Sequence, residues 1–235
     1  MVNLVKQFVI FGNFYNIGFN NTSDPINKLA QDLEFQLIVK QDPEVKVFSG
    51  NSFESPYRPT LINEDHSVTI TFNSYKIIIN IENYKDESIL DTMPFYIKKI
   101  SKFIEDNYEQ CFYRLGLNGF VALNPDKNDE LFNNFFANSK MFTQNKEEWS
   151  VREVQTDHWD KFDEPTNVCY SFNKIVENNY PAIKKPLDVN ISLCLNYDIN
   201  TLQKYTLTRF TADSLIEFFK YANNTLQKII DFIGE

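Results

Sequence analysis

The feature that most constrains the fold of this chain is a strict alternation along LDVNISLCLNYDI, residues 187–199. Leu187, Val189, Ile191, Leu193, Leu195 and Tyr197 alternate there with Asp188, Asn190, Ser192, Cys194 and Asn196. Successive side chains of a strand point to opposite faces, so this segment reads as a strand with one face in an apolar core. The same pattern sets Val168, Tyr170 and Phe172 against Asn167, Cys169, Ser171 and Asn173. It also sets Val68, Ile70 and Phe72 against Ser67, Thr69, Thr71 and Asn73. Strands of this kind need a sheet that is covered on one side.

Helices that could cover it are marked by 3–4 spacing. Ser23-Asp24-Pro25 opens one that continues through Ile26, Leu29, Ala30 and Leu33. Ile97, Ile100, Ile104 and Tyr108 mark another over about 94–110. Asn124-Pro125-Asp126 opens a short one with Leu131, Phe132, Phe135 and Phe136. The last follows Thr211, its N-cap, with Leu215, Phe218, Phe219, Ala222, Leu226, Ile229, Ile230 and Ile233 in one stripe. Further strands are expected at 4–14, 34–40, 45–48, 111–123 and 149–157, with a strand or extended piece at 203–210. Ile77, Ile79 and Ile81 follow the Asn73-Ser74 link as the second arm of a hairpin. The segment 49–63, with Pro56 and Pro59, reads as irregular.

Both halves therefore run strand, helix, strands, long helix. The expected fold is α+β, a single domain over 1–235 with the order repeated in 1–110 and 111–235. In it, one mostly antiparallel sheet carries the long helices on one face. This resembles the TATA-binding-protein-like arrangement in architecture, which implies nothing about DNA.

Acids outnumber bases 32 to 23, giving a net charge of −9 spread evenly along the chain. Nucleic-acid binding runs on neutralising phosphates, so DNA and RNA are not expected partners. The 43% apolar content excludes a disordered chain. No window of 18 apolar residues exists, so no membrane partner is expected either. The opening MVNLVKQFVIFGNFYNIGFN has one early Lys, a short apolar run and no small-residue cleavage site, so it reads as a poor secretion signal. Cys111, Cys169 and Cys194 form no C-x-x-C pair, which fits a reducing compartment and a cytosolic protein.

The strand FYRLGLNGFVAL at 112–123, with RLGL at 114–117, resembles the R-hydrophobe-G-L-R strand of a sporadically distributed family of uncharacterised bacterial proteins. The likeness extends to the alternating strand 187–199 and to the C-terminal helix with its Phe pair. Asn118 stands where a second Arg is usual. The resemblance implies a cytosolic bacterial setting and carries no activity, cofactor or site residue with it.

Chemical motifs are sparse. His66 and His158 are the only histidines and neither sits in metal-ligand spacing. Asp157–Glu164 holds four acids in eight residues without the EF-hand order, and reads as a solvated acidic loop. Trp159 and Phe162 are either exposed anchors on that loop or pins to the core. Gly116-Leu117-Asn118-Gly119 matches a GXXG string inside a strand and lacks a basic residue. No cofactor is indicated. The neutral faces of the alternating strands are different: a merely solvated sheet face normally carries more Lys and Glu. Thr69, Thr71, Ser171, Asn173, Ser192 and Asn196 are the candidate interaction residues. The pattern fits a protein partner, a homo-oligomer, a face covered by a loop such as 49–63, or plain exposure. Arg114 is a candidate anion contact. The leading expectation is a non-enzymatic protein-interaction module of a cytosolic bacterial complex. The alternatives are a small-molecule or anion sensor, and a Cys-dependent hydrolase using Cys194 or Cys169 with His158.

Overall fold

A computed structural model of the protein describes residues 2–12, 14, 23–41, 57–73, 75–82, 91–107, 112–136, 148–174, 193–202 and 208–233. The first half contains β1 (Val2–Gly12), α1 (Ser23–Leu33), β2 (Gln36–Gln41), β3 (Tyr57–Ile62), β4 (Val68–Phe72), β5 (Lys76–Glu82) and α2 (Met93–Asn107). The second contains β6 (Phe112–Ala122), α3 (Asn128–Phe136), β7 (Trp149–Trp159), β8 (Glu164–Lys174), β9 (Leu193–Thr201) and α4 (Ala212–Phe232). The nine strands form one open sheet in the order β2-β3-β4-β5-β1-β6-β9-β8-β7, and every ladder is antiparallel. The fold is α+β, and the order strand, helix, strands, long helix occurs twice. The two first strands, β1 and β6, lie side by side at the centre, so the sheet runs without a break from one half into the other.

The apolar sides of the strands decide where the helices go. Phe8 and Ile10 of β1, Ile77, Ile79 and Ile81 of β5, Leu115 and Leu117 of β6, and Leu195 and Ile199 of β9 are all fully buried on one face. Rings of the helices meet that face: Phe218 and Phe219 of α4 lie 6.2 Å from Phe8, and Phe103 of α2 lies 5.5 Å from Phe72. Phe135 of α3 lies 5.3 Å from Phe172 of β8. The whole expected stripe of α4, from Leu215 to Ile233, is buried. α2 and α4 also pack on each other, and α1 packs on α2.

Local chemistry ends the elements. Glu34 takes a left-handed conformation (φ 57°) after α1. Its N–H donates to the Gln31 carbonyl while the Phe35 N–H donates to Ala30, closing the helix as a Schellman motif without glycine. Asn124 accepts from the Asp126 N–H at 3.1 Å and starts the short 3-10 turn that leads into α3. Thr211 stands at the N-cap of α4, but its side chain makes no capping bond. Its carbonyl instead accepts from the Ser214 N–H and hydroxyl.

Five expectations need correction or fall outside the described residues. The stretch 49–63 is not irregular throughout, because 57–62 is β3. Pro59 is tolerated there because the ladder to β4 covers only Thr60–Ile62, so Pro59 is paired to β2 alone. The expected strand at 45–48, the first half of 187–197 and residues 203–207 lie outside the described residues; Phe210 makes a single bridge to Phe112. Asp157–Glu164 is a solvated turn only at its tip, where Asp160 and Asp163 are exposed. It is the end of β7, a 3-10 turn and the start of β8, with Trp159 buried and its ring tilted 34° against Phe162 at 4.2 Å between centroids. Those rings pin the turn to the core.

Candidate functional site

Residues that alternate with the core set point away from the helices. Among the described residues no helix packs on this face, which carries Thr69 and Thr71 of β4, Asn167, Cys169, Ser171 and Asn173 of β8, and Asn196 of β9, all half-buried. The candidates therefore share one face, but not one patch. β4 and β8 are separated by β5, β1, β6 and β9. At ~4.8 Å per strand, Thr69 and Thr71 stand roughly 24 Å from Ser171. Ser192 lies outside the described residues.

The second-half patch is held by its own hydrogen bonds. Ser171 is directly opposite Asn196, and Asn173 opposite Cys194. Asn173 Nδ2 donates to Ser171 Oγ at 3.1 Å, and Ser150 Oγ of β7 donates to Asn173 Oδ1 at 2.6 Å. These short side chains have little rotamer entropy left to lose, so they form a preorganised neutral surface. In the first half the same face is more closed. Arg58, Thr60 and Ile62 of β3 are buried, and Thr60 Oγ1 lies 3.4 Å from Thr71 Oγ1.

Arg114 of β6 lies on this face between the two halves. Its guanidinium stacks on Phe11 at 4.8 Å, and Nη2 donates to Asn200 Oδ1 at 3.0 Å. Its Nε is buried and has no hydrogen-bond partner among the described residues. Arg114 thus holds a neutral amide, and among the described residues no acid forms an ion pair with it.

The hydrolase geometry does not form. Cys169 is opposite Val154, whereas His158 is opposite Pro165, four residues further along β7 and roughly 14 Å away at strand spacing. His158 is occupied elsewhere: Nδ1 is 2.9 Å from Asp160 Oδ1 and Nε2 is 3.2 Å from Asp163 Oδ1. Hydrogen bonding to Asp160 raises its pKa above the ordinary value. Cys194 is fully buried, with its thiol 3.5 Å from the Asn173 carbonyl. Cys111 lies outside the described residues. Among the described residues no three His, Cys, Asp or Glu side chains stand close enough to share a metal ion.

Several structured groups carry no signal in the sequence. Glu164, part of the supposed acidic loop, is buried and forms a two-pronged ion pair with Arg209. Tyr221 of α4 donates to Asp157 at 2.9 Å and accepts from Thr166 at 2.5 Å. Lys6, the early base, is buried under α4 with Nζ donating to Asn223 at 3.2 Å, and burial lowers its pKa. Each joins residues distant in sequence, so no local pattern announces it. A groove of about 340 Å³ opens between β7 and α4, lined by Gln155, Asp157, Tyr170, Lys228, Ile229 and Phe232 among others. No protein-family model and no curated protein matches the chain.

Proposed function

We propose that this chain is a non-enzymatic protein-interaction module of a cytosolic bacterial complex, and that it engages its partner through the helix-free face of β8 and β9. The observation that carries the reading is the cluster of Ser171, Asn173 and Asn196: small, uncharged, half-buried side chains, with Ser171 and Asn173 hydrogen-bonded, on a face that no helix among the described residues occupies. Such a surface costs little to desolvate beside a lysine- and glutamate-bearing face, and it presents donors and acceptors in fixed positions. The half-exposed Cys169, a free thiol, supports a reducing compartment.

Affinity capture from the native host tests this. Ser171→Arg with Asn173→Arg places two charges on the patch that a bound partner would have to desolvate. The expected result is loss of the proteins captured by the parent chain, with the fold intact by circular dichroism. Equal capture by parent and variant would overturn the reading.

A second reading rests on Arg114. Its unpartnered buried Nε and aromatic stacking favour an anion sensor on the same face. Stabilisation of the parent, but not of Arg114→Gln, by phosphate or a carboxylate metabolite in a thermal-shift screen is the result that reading requires.

A further inference from the structure

β7 ends the sheet with eleven residues, all of them paired to β8. Among the described residues no strand pairs with its other side. Edge strands of this length are normally protected by proline, a bulge, shortness or charged side chains, and of these β7 has only the last, in Arg152, Glu153 and Asp157. β7 has no proline, and its ladder to β8 runs without a register shift. Arg152, Glu153, Val154, Gln155 and Thr156 are exposed, so both faces of its middle are open, and Val154 is 56% exposed.

We propose that β7 pairs with β7 of a second copy of this chain, antiparallel about a two-fold axis through Val154. Such an axis, perpendicular to the sheet, keeps each face continuous across the join. It must pass through a residue, because an axis between residues would pair opposite faces. Val154 is the midpoint of Trp149–Trp159. An axis there uses the whole strand and closes roughly ten N–H···O bonds. It sets Val154 against the partner's Val154, Arg152 against the partner's Thr156, and Glu153 against the partner's Gln155. No like charges meet directly. Other axes shorten the ladder: through Glu153 or Arg152 that residue also faces itself, through Gln155 the Glu153 of one copy faces the partner's Asp157, and through Thr156 only about seven residues of the strand stay paired.

Complementarity continues off the strand. Gln155 lines the groove that Lys228 shares. The axis through Val154 brings the partner's Glu153 opposite Gln155, so a carboxylate arrives at the mouth of a groove bearing a lysine. The result is an eighteen-stranded sheet, twice the nine strands of one copy, with both helix-free faces on one side. The inference concerns the strand edge and stands independently of what the face binds.

Analytical ultracentrifugation over a concentration series tests it. The parent is expected to sediment as a dimer, and Val154→Arg as a monomer with an unchanged circular dichroism spectrum. Ser171→Arg with Asn173→Arg should remain dimeric, which separates this proposal from the partner reading. Oxidised Val154→Cys should form a dimer linked through residue 154 by peptide mapping. Arg152→Cys should link to Thr156→Cys in a mixture and not to itself. The cross-links decide the matter should Val154→Arg fail to fold. A parent that is monomeric at every concentration, a dimer that survives Val154→Arg, or cross-links in another register would overturn the proposal. So would a monomeric parent that binds a different protein along β7.

Discussion

Tyr197 of β9 lies directly across from Gly119 of β6, and its ring fills the space that a side chain at 119 would need. A Cβ at 119 would stand 2.3 Å from the Val5 carbonyl oxygen and 2.4 Å from the Tyr197 hydroxyl. The glycine of the GXXG string is thus a packing feature at the seam of the two halves. It lets β1 and β9 close on β6 from either side. Burial drives the Tyr197 pKa upward.

Gly119→Ala is expected to destabilise the fold by about 1–3 kcal/mol, the usual range for overpacking, because the Val5 backbone must move. Gly116→Ala should cost less, since the nearest atom to its Cβ is 3.6 Å away. Urea midpoints of the two variants check the contrast, and equal losses would refute this account of Gly119.

Arg209 Nη2 and Nε donate to Glu164 at 2.7 and 3.1 Å, and Nη2 also reaches the Leu202 carbonyl. Both side chains are largely buried, 19% and 9% exposed. Arg209→Ala leaves Glu164 charged and unpaired beneath the approach to α4. A loss of about 3–5 kcal/mol is expected, as for broken buried pairs. Replacing both residues, Arg209→Met with Glu164→Leu, should restore much of it, which a double-mutant cycle measures.

Leu226 is 3% exposed on the core side of α4. Leu226→Asp puts an unpaired charge against the sheet and is expected to leave the chain unfolded or insoluble, because several kcal/mol exceed a sizeable part of a domain's stability. Phe232→Asp, at a site 77% exposed, should fold normally. Soluble expression and melting curves distinguish the two.

Alkali should weaken the fold before it ionises Tyr170 and Tyr221 in the folded protein. Desolvation pushes Tyr170 and Tyr221 up to about 12, helped by hydrogen bonds to the carboxylates of Glu153 and Asp157. Between pH 10 and 12 the unfolded chain has lost these protons and the folded chain keeps them. Stability present below pH 10 therefore falls as pH rises through that window. Melting temperature should drop across it, and less steeply for Tyr221→Phe. An ultraviolet phenolate titration that ends near pH 10 in the folded state would contradict this.

Gel shifts with DNA or RNA at low salt are expected to show no complex. The net charge of −9 leaves counterion release little to work with. A tight, salt-sensitive shift would contradict the reading.

The elements and their faces are legible in the residue pattern alone. Period-two alternation placed Ser171, Asn173 and Asn196 on one side of β8 and β9, and period 3.6 marked the buried stripe of α4, because both patterns are local consequences of backbone geometry. The tight link at Asn73 and the adjacency of β8 and β9 follow from equally short-range rules. Tertiary structure alone decided the rest. It joined the halves through β1 and β6, separated Thr71 from Ser171 by the width of the intervening strands, and kept His158 apart from Cys169. It turned an acidic run into a pinned hairpin by pairing Glu164 with Arg209, and it left β7 at an edge. Each of these depends on which strands neighbour which. That choice is made by the summed burial of residues far apart in the chain, and no local period records it.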